Sequence, residues 1–489
     1  MLDRRRLLKL GGITAGSAVG GAVLLSTAHN PAAATGPTAH SGHGYTPVAE
    51  TRSVPSSTPF SRRMPVPREA VPSRTRSGAD VFQIPIQPAD VEFVPGAPTR
   101  VRTFGGQFVG PTIRVRTGRP ARVTFSNKLD VAANVHVHGG HNPQRSDGYP
   151  TDVIEPGASR AYDYPNRQQG ATLWYHDHAH HLEAENVYFG LHGFYIVEDD
   201  AERGLGLPTG EYDVPVMLRD CQLDANGGLV YAPVPTGRTT ILANGVVTPH
   251  FPVAARKYRF RFLNGALERT FRLTLGGAEL TQIASDGGLL PAPVRRSEIV
   301  LGSAERTDVV IDFANQPIGA QLVLYDVSGP VLRFDVTRHA ADRSRVPAQL
   351  RPLPALPPAT VERDVAMKFD LSNPTAPVGV VNGRAYDPNR VDFQIRRGTT
   401  EIWRIRNDDT MLGLPHTFHL HLEQFRVLDR NGAPPNPDDA GRKDTIFVAP
   451  GETVRVQVTF TDHLGKYVYH CHYLDHSALG MMGQMEIVA

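Results

Sequence analysis

The stretch His470-Cys471-His472-Tyr473-Leu474-Asp475-His476, followed by Met481, places one thiol among several imidazoles near the C-terminus. Successive side chains of a β-strand point to opposite faces. An extended chain here would therefore direct the first two histidines to one side and the cysteine between them to the other. One Cys, two His and a weak axial Met form the ligand set of an electron-transfer copper site. This stretch supplies Cys, one His and Met, so the second His must come from elsewhere.

Three more histidine clusters precede this stretch. They are His136-Val137-His138, His176-Asp177-His178 and His416-Thr417-Phe418-His419-Leu420-His421. An isolated His-x-His pair is usually incidental. Four clusters in order, ending in His-Cys-His-x3-His-x4-Met, instead indicate metal binding, because imidazole and thiolate are ligands that suit copper.

Two short sequence elements each occur three times along the chain. The first has alternating apolar residues and a basic turn before a strand that ends in Asn, and it stands at 111–129, 251–264 and 391–407. The second leads into an alternating strand, and it stands at 155–160, 302–306 and 449–453. Short strands of period two with frequent turns are typical of β-sandwiches, so the repeats predict three of them.

The repeats and the local composition divide the chain into six segments. They are a twin-arginine signal peptide at 1–34, a Pro-rich irregular arm at 35–78, sandwiches at 79–199, 211–338 and 362–489, and a Pro-rich connector at 339–361. Only the first and third sandwiches contain His-x-His pairs. Each therefore offers four histidines to one shared site, with the second sandwich as a spacer. Eight imidazoles are more than one metal needs and suit a cluster of three coppers. The arm either wraps around the body or stays mobile.

The first residues are typical of an export signal. Asp3-Arg4-Arg5-Arg6-Leu7-Leu8-Lys9 matches a twin-arginine motif, and Ala32-Ala33-Ala34 offers a small-residue cleavage site. The apolar stretch between them is too short and too rich in Gly and Ala for a good membrane anchor, which is the alternative. We expect the twin-arginine translocase as a partner during export, no stable membrane span, and a secreted or cell-envelope location in a periplasmic-type space.

Charge and cysteine content exclude other classes. The formal net charge is +2, but the basic excess lies in the first 78 residues and the remaining body is net negative. Such a body has no electrostatic reason to bind nucleic acid. Cys221 and Cys471 are the two cysteines. If Cys471 binds metal, no disulfide can form, and Cys221 is expected to be a small buried apolar residue.

The four clusters resemble the multicopper oxidases, with every His and Cys ligand position filled. The neighbouring residues are similar to the three-domain branch of bacterial spore-coat laccases, bilirubin oxidases and phenoxazinone synthases. These residues are Leu173-Trp174-Tyr175, Asn186-Val187-Tyr188, Glu211-Tyr212-Asp213-Val214-Pro215 and Phe425-Arg426-Val427-Leu428-Asp429-Arg430. The resemblance runs from about residue 79 to the C-terminus. It implies an all-β fold of three cupredoxin-like Greek-key β-sandwich domains.

The same resemblance implies four coppers per chain. The type 1 copper would take His416, Cys471, His476 and Met481. The type 2 copper would take His136 and His419. The type 3 pair would take His138, His176, His178, His421, His470 and His472.

Two positions bear on proton supply. Asp147 matches a carboxylate that in relatives lies near the type 2 copper and helps supply protons. An Asp before Gly is also typical of a turn, and both interpretations can hold. Many bacterial relatives place Glu directly after the last type 1 His, where this chain has Ser477. Asp475, Glu183 and Glu185 are candidates to replace that Glu.

The expected activity is that of an exported oxidase that takes single electrons from phenols, aminophenols or similar small donors and reduces O2 to water. Because O2 needs four electrons and such donors give one at a time, one centre must accept electrons singly and another must store them. A cuprous-ion oxidase in copper tolerance, with Cu(I) as donor, is the alternative. It is disfavoured because the eight Met residues form no Met-rich run. A copper-free cell-envelope structural protein is a third possibility, but such relatives have lost ligands. Three modules also disfavour a two-domain nitrite reductase.

Overall fold

The computed structural model describes residues 58–74, 78–232 and 237–489. The expected signal peptide and the first part of the expected arm lie outside the described residues. The described part of the arm runs along the body. Phe60 N donates to Thr248 O, and Met64 N donates to His250 O. Met64 is 1% exposed within the core of the second sandwich, so this segment packs on the body. Its end, Ser73–Arg74, departs from the expected irregular conformation and forms a short strand that pairs with Asp80–Val94 of the first sandwich.

The first sandwich has two sheets, β1-β2-β5-β7 with β3 on β2, and β4-β9-β8-β6. Its strands are β1 Ser73–Arg74, β2 Asp80–Val94, β3 Ala97–Phe104, β4 Gly110–Arg116, β5 Ala121–Asn127, β6 His136–His138, β7 Ser159–Tyr164, β8 Ala171–His176 and β9 His192–Glu198. Burial alternates along β5, whose Ala121, Val123 and Phe125 face the core. The helix α1, Glu183–Tyr188, joins β8 to β9, and α2, Asp200–Arg203, follows β9.

The second sandwich contains a large sheet, β13-β12-β10-β15-β20-β17-β18 with β11 on β10, and two smaller sheets, β14-β22-β21 and β16-β19. Its strands are β10 Asp213–Leu223, β11 Leu229–Val230, β12 Thr240–Ala243, β13 Val246–Val247, β14 His250–Ala255, β15 Lys257–Asn264, β16 Phe271–Leu273, β17 Leu280–Ser285, β18 Gly288–Arg296, β19 Ile299–Leu301, β20 Arg306–Asp312, β21 Gln321–Asp326 and β22 Gly329–His339. Aromatic side chains such as Phe260 and Phe334 fill its core.

The third sandwich pairs the sheets β24-β23-β26-β30-β28 and β25-β32-β31-β27-β29. Its strands are β23 Val361–Asp370, β24 Val378–Val381, β25 Phe393–Arg396, β26 Thr400–Asn407, β27 His416–Leu420, β28 Phe425–Arg430, β29 Thr445–Val448, β30 Thr453–Thr459, β31 Gly465–Cys471 and β32 Met482–Val488. The helix α3, Leu474–Ala478, joins β31 to β32. None of the helices in the described ranges has the length and apolarity that crossing a bilayer requires.

The asparagine that ends the first repeated element makes the same hydrogen bonds in all three sandwiches. Asn127, Asn264 and Asn407 are each at most 1% exposed. Each Nδ2 donates to two backbone carbonyls, those of Val131 and Ile154, of Arg269 and Leu301, and of Leu414 and Val448. Each Oδ1 accepts from the backbone N–H two residues later. The amide thus ties the end of one strand to the segment that precedes the second repeated element.

Candidate metal centre

Strand pairing brings the histidine clusters of each outer sandwich side by side. β6 pairs with β8 so that His136 lies opposite His176. β27 pairs with β31 so that His419 lies opposite His470. The His-x-His spacing then places both imidazoles of each pair on one face of the sheet.

Eight imidazoles meet at the interface between the first and third sandwiches. All of them are at most 1% exposed. The His138 ring stacks on the His419 ring with centroids 3.6 Å apart, and the His136 ring stacks on the His421 ring at 3.8 Å. Each stack joins one sandwich to the other, so the site exists only where the two meet.

The hydrogen bonds at the rims of these rings settle which nitrogens carry protons. Nδ1 of His136 lies 2.6 Å from Asp147 O, Nδ1 of His419 lies 2.8 Å from Asp444 O, Nδ1 of His176 lies 2.8 Å from Asp177 O, and Nδ1 of His470 lies 2.9 Å from Cys471 O. A carbonyl oxygen only accepts, so each Nδ1 must donate and each Nε2 of a neutral ring is a bare lone pair.

Each of these lone pairs faces the nitrogen of another imidazole or no partner. His470 Nε2 lies 3.2 Å from His178 Nε2 and 3.4 Å from His421 Nε2. His176 Nε2 lies 3.4 Å from His472 Nε2. Nε2 of His136 and of His419 has no hydrogen-bond partner among the described atoms. Buried acceptors without donors are costly, and a bound cation removes that cost.

The histidines are neutral, as metal ligation requires. Burial, together with the neighbouring imidazoles, lowers the pKa of His136 to about 3. Burial lowers the pKa of His470 to about 4. The same causes hold the pKa of the other cluster histidines well below the usual range.

A second donor set lies on the other side of β31. Cys471 Sγ is 3.6 Å from His416 Nδ1 and 3.5 Å from His476 Nδ1, and the two Nδ1 atoms are 3.1 Å apart. The centre of such a triangle lies about 2 Å from each atom, close to the usual metal–nitrogen bond length. Burial raises the pKa of Cys471, but the two imidazoles outweigh it and lower the pKa to about 6. The thiolate form is therefore favoured.

The two adjacent methionines have different surroundings. Met481 is fully buried in the cluster that also contains Cys471, and its backbone carbonyl accepts from Cys471 N at 3.0 Å. Met482 packs instead with Tyr149 and Val468. The structure thus brings Met481, and not Met482, to the cysteine side of β31.

Comparison with known proteins decides the family. Multicopper oxidase profiles match residues 85–202, 220–329 and 356–489. A laccase of Bacillus subtilis is 36% identical over 80% of this chain and 90% of that protein. A bilirubin oxidase of Albifimbria verrucaria is 36% identical over 78% of this chain and 71% of that protein. A crystal structure of a laccase from Pediococcus acidilactici superposes with a TM-score of 0.83 and 33% identity, covering 90% of this chain and 95% of that one.

The chain belongs to the multicopper oxidase family. The predicted family and the predicted fold of three cupredoxin-like sandwiches are confirmed. The protein is a copper oxidoreductase that uses O2. The two donor sets fit copper, since buried imidazoles and one thiolate are the ligands that copper prefers.

Asp147 contacts two cluster histidines in this multicopper oxidase. Its backbone oxygen accepts from His136, and its Oδ2 lies 2.8 Å from His421 Nδ1. Burial raises its pKa to about 6. Asp147 therefore orients two rings, one through its backbone and one through its side chain.

Sequence analysis missed several carboxylates that hold the ligand rings. Asp409 Oδ2 lies 2.8 Å from His416 Nε2, and Glu268 Oε1 lies 3.5 Å from His476 Nε2. Asp444 Oδ1 lies 3.0 Å from His138 Nε2. A carboxylate behind a ligating imidazole fixes its orientation and raises its basicity. Asp409 lies seven residues before His416 and is the carboxylate of this group nearest in sequence to the ligand that it contacts. Its spacing from His416 matches no known pattern, so the sequence did not indicate this role.

A buried arginine of the second sandwich links all three domains behind the site. Arg306 Nε donates to Thr172 O, and its Nη2 lies 2.5 Å from Asp444 Oδ2 and 3.2 Å from Asp286 O. Gly139, directly after His138, has φ +80°, and a Cβ there would strike both Asp444 and Arg306. Only glycine lets this pair approach the first sandwich so closely. The second sandwich is thus more than a spacer, because it anchors Asp444.

Proposed function

We propose that this multicopper oxidase takes single electrons from phenols, aminophenols or similar donors at a type 1 copper and reduces O2 to water at a trinuclear copper cluster, with four coppers per chain. The observation that carries the proposal is the segment His470-Cys471-His472. Its Cys471 side chain faces His416 and His476, while its two imidazoles belong to the eight-histidine cluster and both contact the His419 ring. One covalent segment therefore belongs to both donor sets.

The ligands would be divided as follows. His416, Cys471, His476 and Met481 would hold the type 1 copper. His136 and His419 would hold the type 2 copper, and His138, His176, His178, His421, His470 and His472 would hold the type 3 pair. The bound coppers supply one-electron redox chemistry and a site for O2. Asp147, Asp409 and Asp444 keep the rings in place by accepting their outer N–H groups.

The surface next to His476 supports an aromatic donor. The Phe369 ring contacts the His476 ring edge to face, with ring centroids 4.8 Å apart. Val378 and Leu479 lie on adjoining backbone, are 38% and 39% exposed, and add apolar surface. The Glu268 carboxylate beside His476 Nε2 can accept a hydrogen bond from a hydroxyl or amino group. An apolar rim with one acceptor suits phenols and aminophenols better than a bare metal ion.

The test is a comparison of donors with the copper-loaded protein. Phenols, aminophenols, bilirubin and Cu(I) are compared by kcat/KM while O2 consumption is followed and copper per chain is measured. We expect four coppers, a blue absorption band and the highest kcat/KM with phenolic or aminophenolic donors. The control Cys471→Ser should lose the blue band and turnover while keeping about three coppers, because its side chain faces away from the histidine cluster.

The alternatives give different results in the same experiment. A kcat/KM highest for Cu(I) would favour the cuprous-ion oxidase. A protein that takes up no copper under these conditions would favour the copper-free structural role. One copper per chain, or zinc alone, would contradict the trinuclear site.

We also propose that the protein is exported by the twin-arginine translocase to a secreted or cell-envelope location. The motif at Arg4 and Arg5 supports this. Arg4→Lys combined with Arg5→Lys should leave the full-length protein in the cytoplasm of the producing cell, as cell fractionation would show. Unchanged export of that variant would point to another route.

A further inference from the structure

Three carboxyl groups lie on α1 and α3, two helices that pack together, and α3 carries His476. Among the described residues, one of the three lacks a cationic partner. Glu185 pairs with Arg102 at 2.6 Å and is 37% exposed in its side chain. Asp475 pairs with Arg238 at 2.5 Å, and both side chains are nearly fully buried. Glu183 forms no ion pair within the described ranges, although it is 0% exposed.

The contacts of Glu183 show where its proton resides. Ser477 Oγ donates to Glu183 Oε1 at 3.2 Å, while Oε2 has no hydrogen-bond partner among the described residues. A buried carboxylate without a cation is strongly disfavoured. The group is therefore held as a neutral acid. Since Oε1 is an acceptor, the proton belongs on Oε2.

The charged surroundings support the same protonation state. Burial, helped by the nearby charge of Asp177, outweighs the hydrogen bonds from Ser477 and backbone amides and raises the pKa of Glu183 to about 8. The Tyr386 hydroxyl also lies within electrostatic reach of Glu183, and it is neutral at ordinary pH. An acid whose pKa lies near the working pH both gives up and regains a proton readily.

Glu183 and Ser477 each follow ligand histidines closely along the chain. α1 begins five residues after His178, and Ser477 directly follows His476 on α3. The hydrogen bond between Glu183 and Ser477 therefore links the helix that follows His178 in the chain to the helix that carries His476.

We propose that Glu183 is the proton-relay residue for oxygen reduction, with Ser477 fixing its orientation. The proposal rests on the proposed function. Reduction of one O2 to two waters consumes four electrons, which the donors supply, and four protons. In each relay step the O–H bond at Glu183 Oε2 breaks, one O–H bond of product water forms, and a proton from solvent restores the acid.

The experiment compares Glu183→Gln with the matched control Glu185→Gln on the same helix. In copper-loaded Glu183→Gln, anaerobic reduction of the blue band by a phenol should proceed at the rate of the unsubstituted protein. Reoxidation by O2 should slow by about 10²-fold or more, the usual contribution of a general acid. Glu185→Gln should behave like the unsubstituted protein in both steps. Combining Glu183→Gln with Ser477→Glu, which places a carboxyl group across the same hydrogen bond, should restore much of the reoxidation rate.

A second measurement does not depend on copper. The infrared spectrum of the metal-free full-length protein near neutral pH should contain the C=O band of a buried carboxylic acid that is lost in Glu183→Gln and retained in Glu185→Gln. Reoxidation of Glu183→Gln at the unsubstituted rate, or an unchanged carboxylic-acid band, would overturn the relay alone. Failure of the unsubstituted holoenzyme to consume O2 would overturn the proposed function and the relay with it, and the two failures are thus distinguishable.

Discussion

At the scale of single residues, Asp409 is the carboxylate that most directly supports a cysteine-site ligand. Its Oδ2 lies 2.8 Å from His416 Nε2, and both oxygens accept from Phe369 N. A negative charge behind a ligand stabilises the oxidised metal. Asp409→Asn, which keeps the shape, should therefore raise the reduction potential of the blue copper in a redox titration. Asp408→Asn should leave it unchanged, since Asp408 is 40% exposed and paired with Arg406. A potential equal in all three proteins would contradict this role.

The sequence could predict the residues that stand in clusters, because strand alternation turns spacing into geometry. Histidines two positions apart share a face, and His470 and His472 indeed turn towards one set of rings. It could not choose among Glu183, Glu185 and Asp475. Their difference lies in partners that the fold brings from far along the chain, with Arg102 83 positions from Glu185 and Arg238 237 positions from Asp475.

At the scale of secondary structure, β24 packs closely against the segment from His476 to Met481, which contains the end of α3 and the turn after it. A Cβ at Gly379 would lie 2.7 Å from Met481 Cβ and 2.9 Å from His476 O. Gly379→Ala should therefore displace this segment, alter the blue absorption band and lower the thermal unfolding midpoint. The matched control Val378→Ala removes a 38% exposed side chain from the same strand and should change neither quantity appreciably. An unchanged blue absorption band in Gly379→Ala would contradict the prediction, because it would show that the close contact at Gly379 does not control the position of Met481.

The short helix α3 shows where sequence patterns stop being informative. A continued strand would carry His476 roughly 16 Å from Cys471, at about 3.3 Å per residue. The chain instead leaves β31 at Cys471 and turns helical from Leu474, which returns His476 Nδ1 to within 3.5 Å of the sulfur. Alternation predicted the strand, but a helix of five residues is too short to show a helical period.

At the scale of the whole molecule, Arg306 holds the three domains together through buried charge. Arg306, Asp286 and Asp444 have side chains at most 1% exposed. Removing one partner of a buried ion pair leaves the others uncompensated and costs about 3–5 kcal/mol. Arg306→Met should lower the free energy of unfolding by that amount, measured by denaturant titration. Arg272→Met removes the half-exposed pair with Glu298 and should cost at most about 1 kcal/mol. Equal losses in the two variants would contradict a linking role for Arg306.

The contact between the first and third domains also depends on pH. His141 Nε2 lies 2.6 Å from Asp462 Oδ1 and its Nδ1 lies 3.5 Å from Glu423 Oε2. Burial lowers the pKa of His141, but these carboxylates outweigh it and raise the pKa from 6.5 to about 9. Because the folded state binds this proton more tightly, the stabilisation is complete below pH 6.5 and is lost as pH rises through 9.

The thermal unfolding midpoint of the unsubstituted protein should fall as the pH rises from 6.5 to about 9. In His141→Gln this fall should be smaller, because the titrating group is absent. His463→Gln serves as control, because the pKa of His463 is lowered below 6.5 and this residue does not titrate in the same window. Parallel curves for His141→Gln and the unsubstituted protein would contradict the assignment.

The three asparagines Asn127, Asn264 and Asn407 show which feature the three sandwiches share. The middle copy retains every hydrogen bond of the other two, although its sandwich contains no His-x-His pair. What the three sandwiches have in common is therefore the set of hydrogen bonds that connects their strands and not the metal chemistry. The metal ligands lie on other strands and connections, so one module can have or lack them while its strands keep these hydrogen bonds. A chain of three such modules can thus use one of them to join the other two.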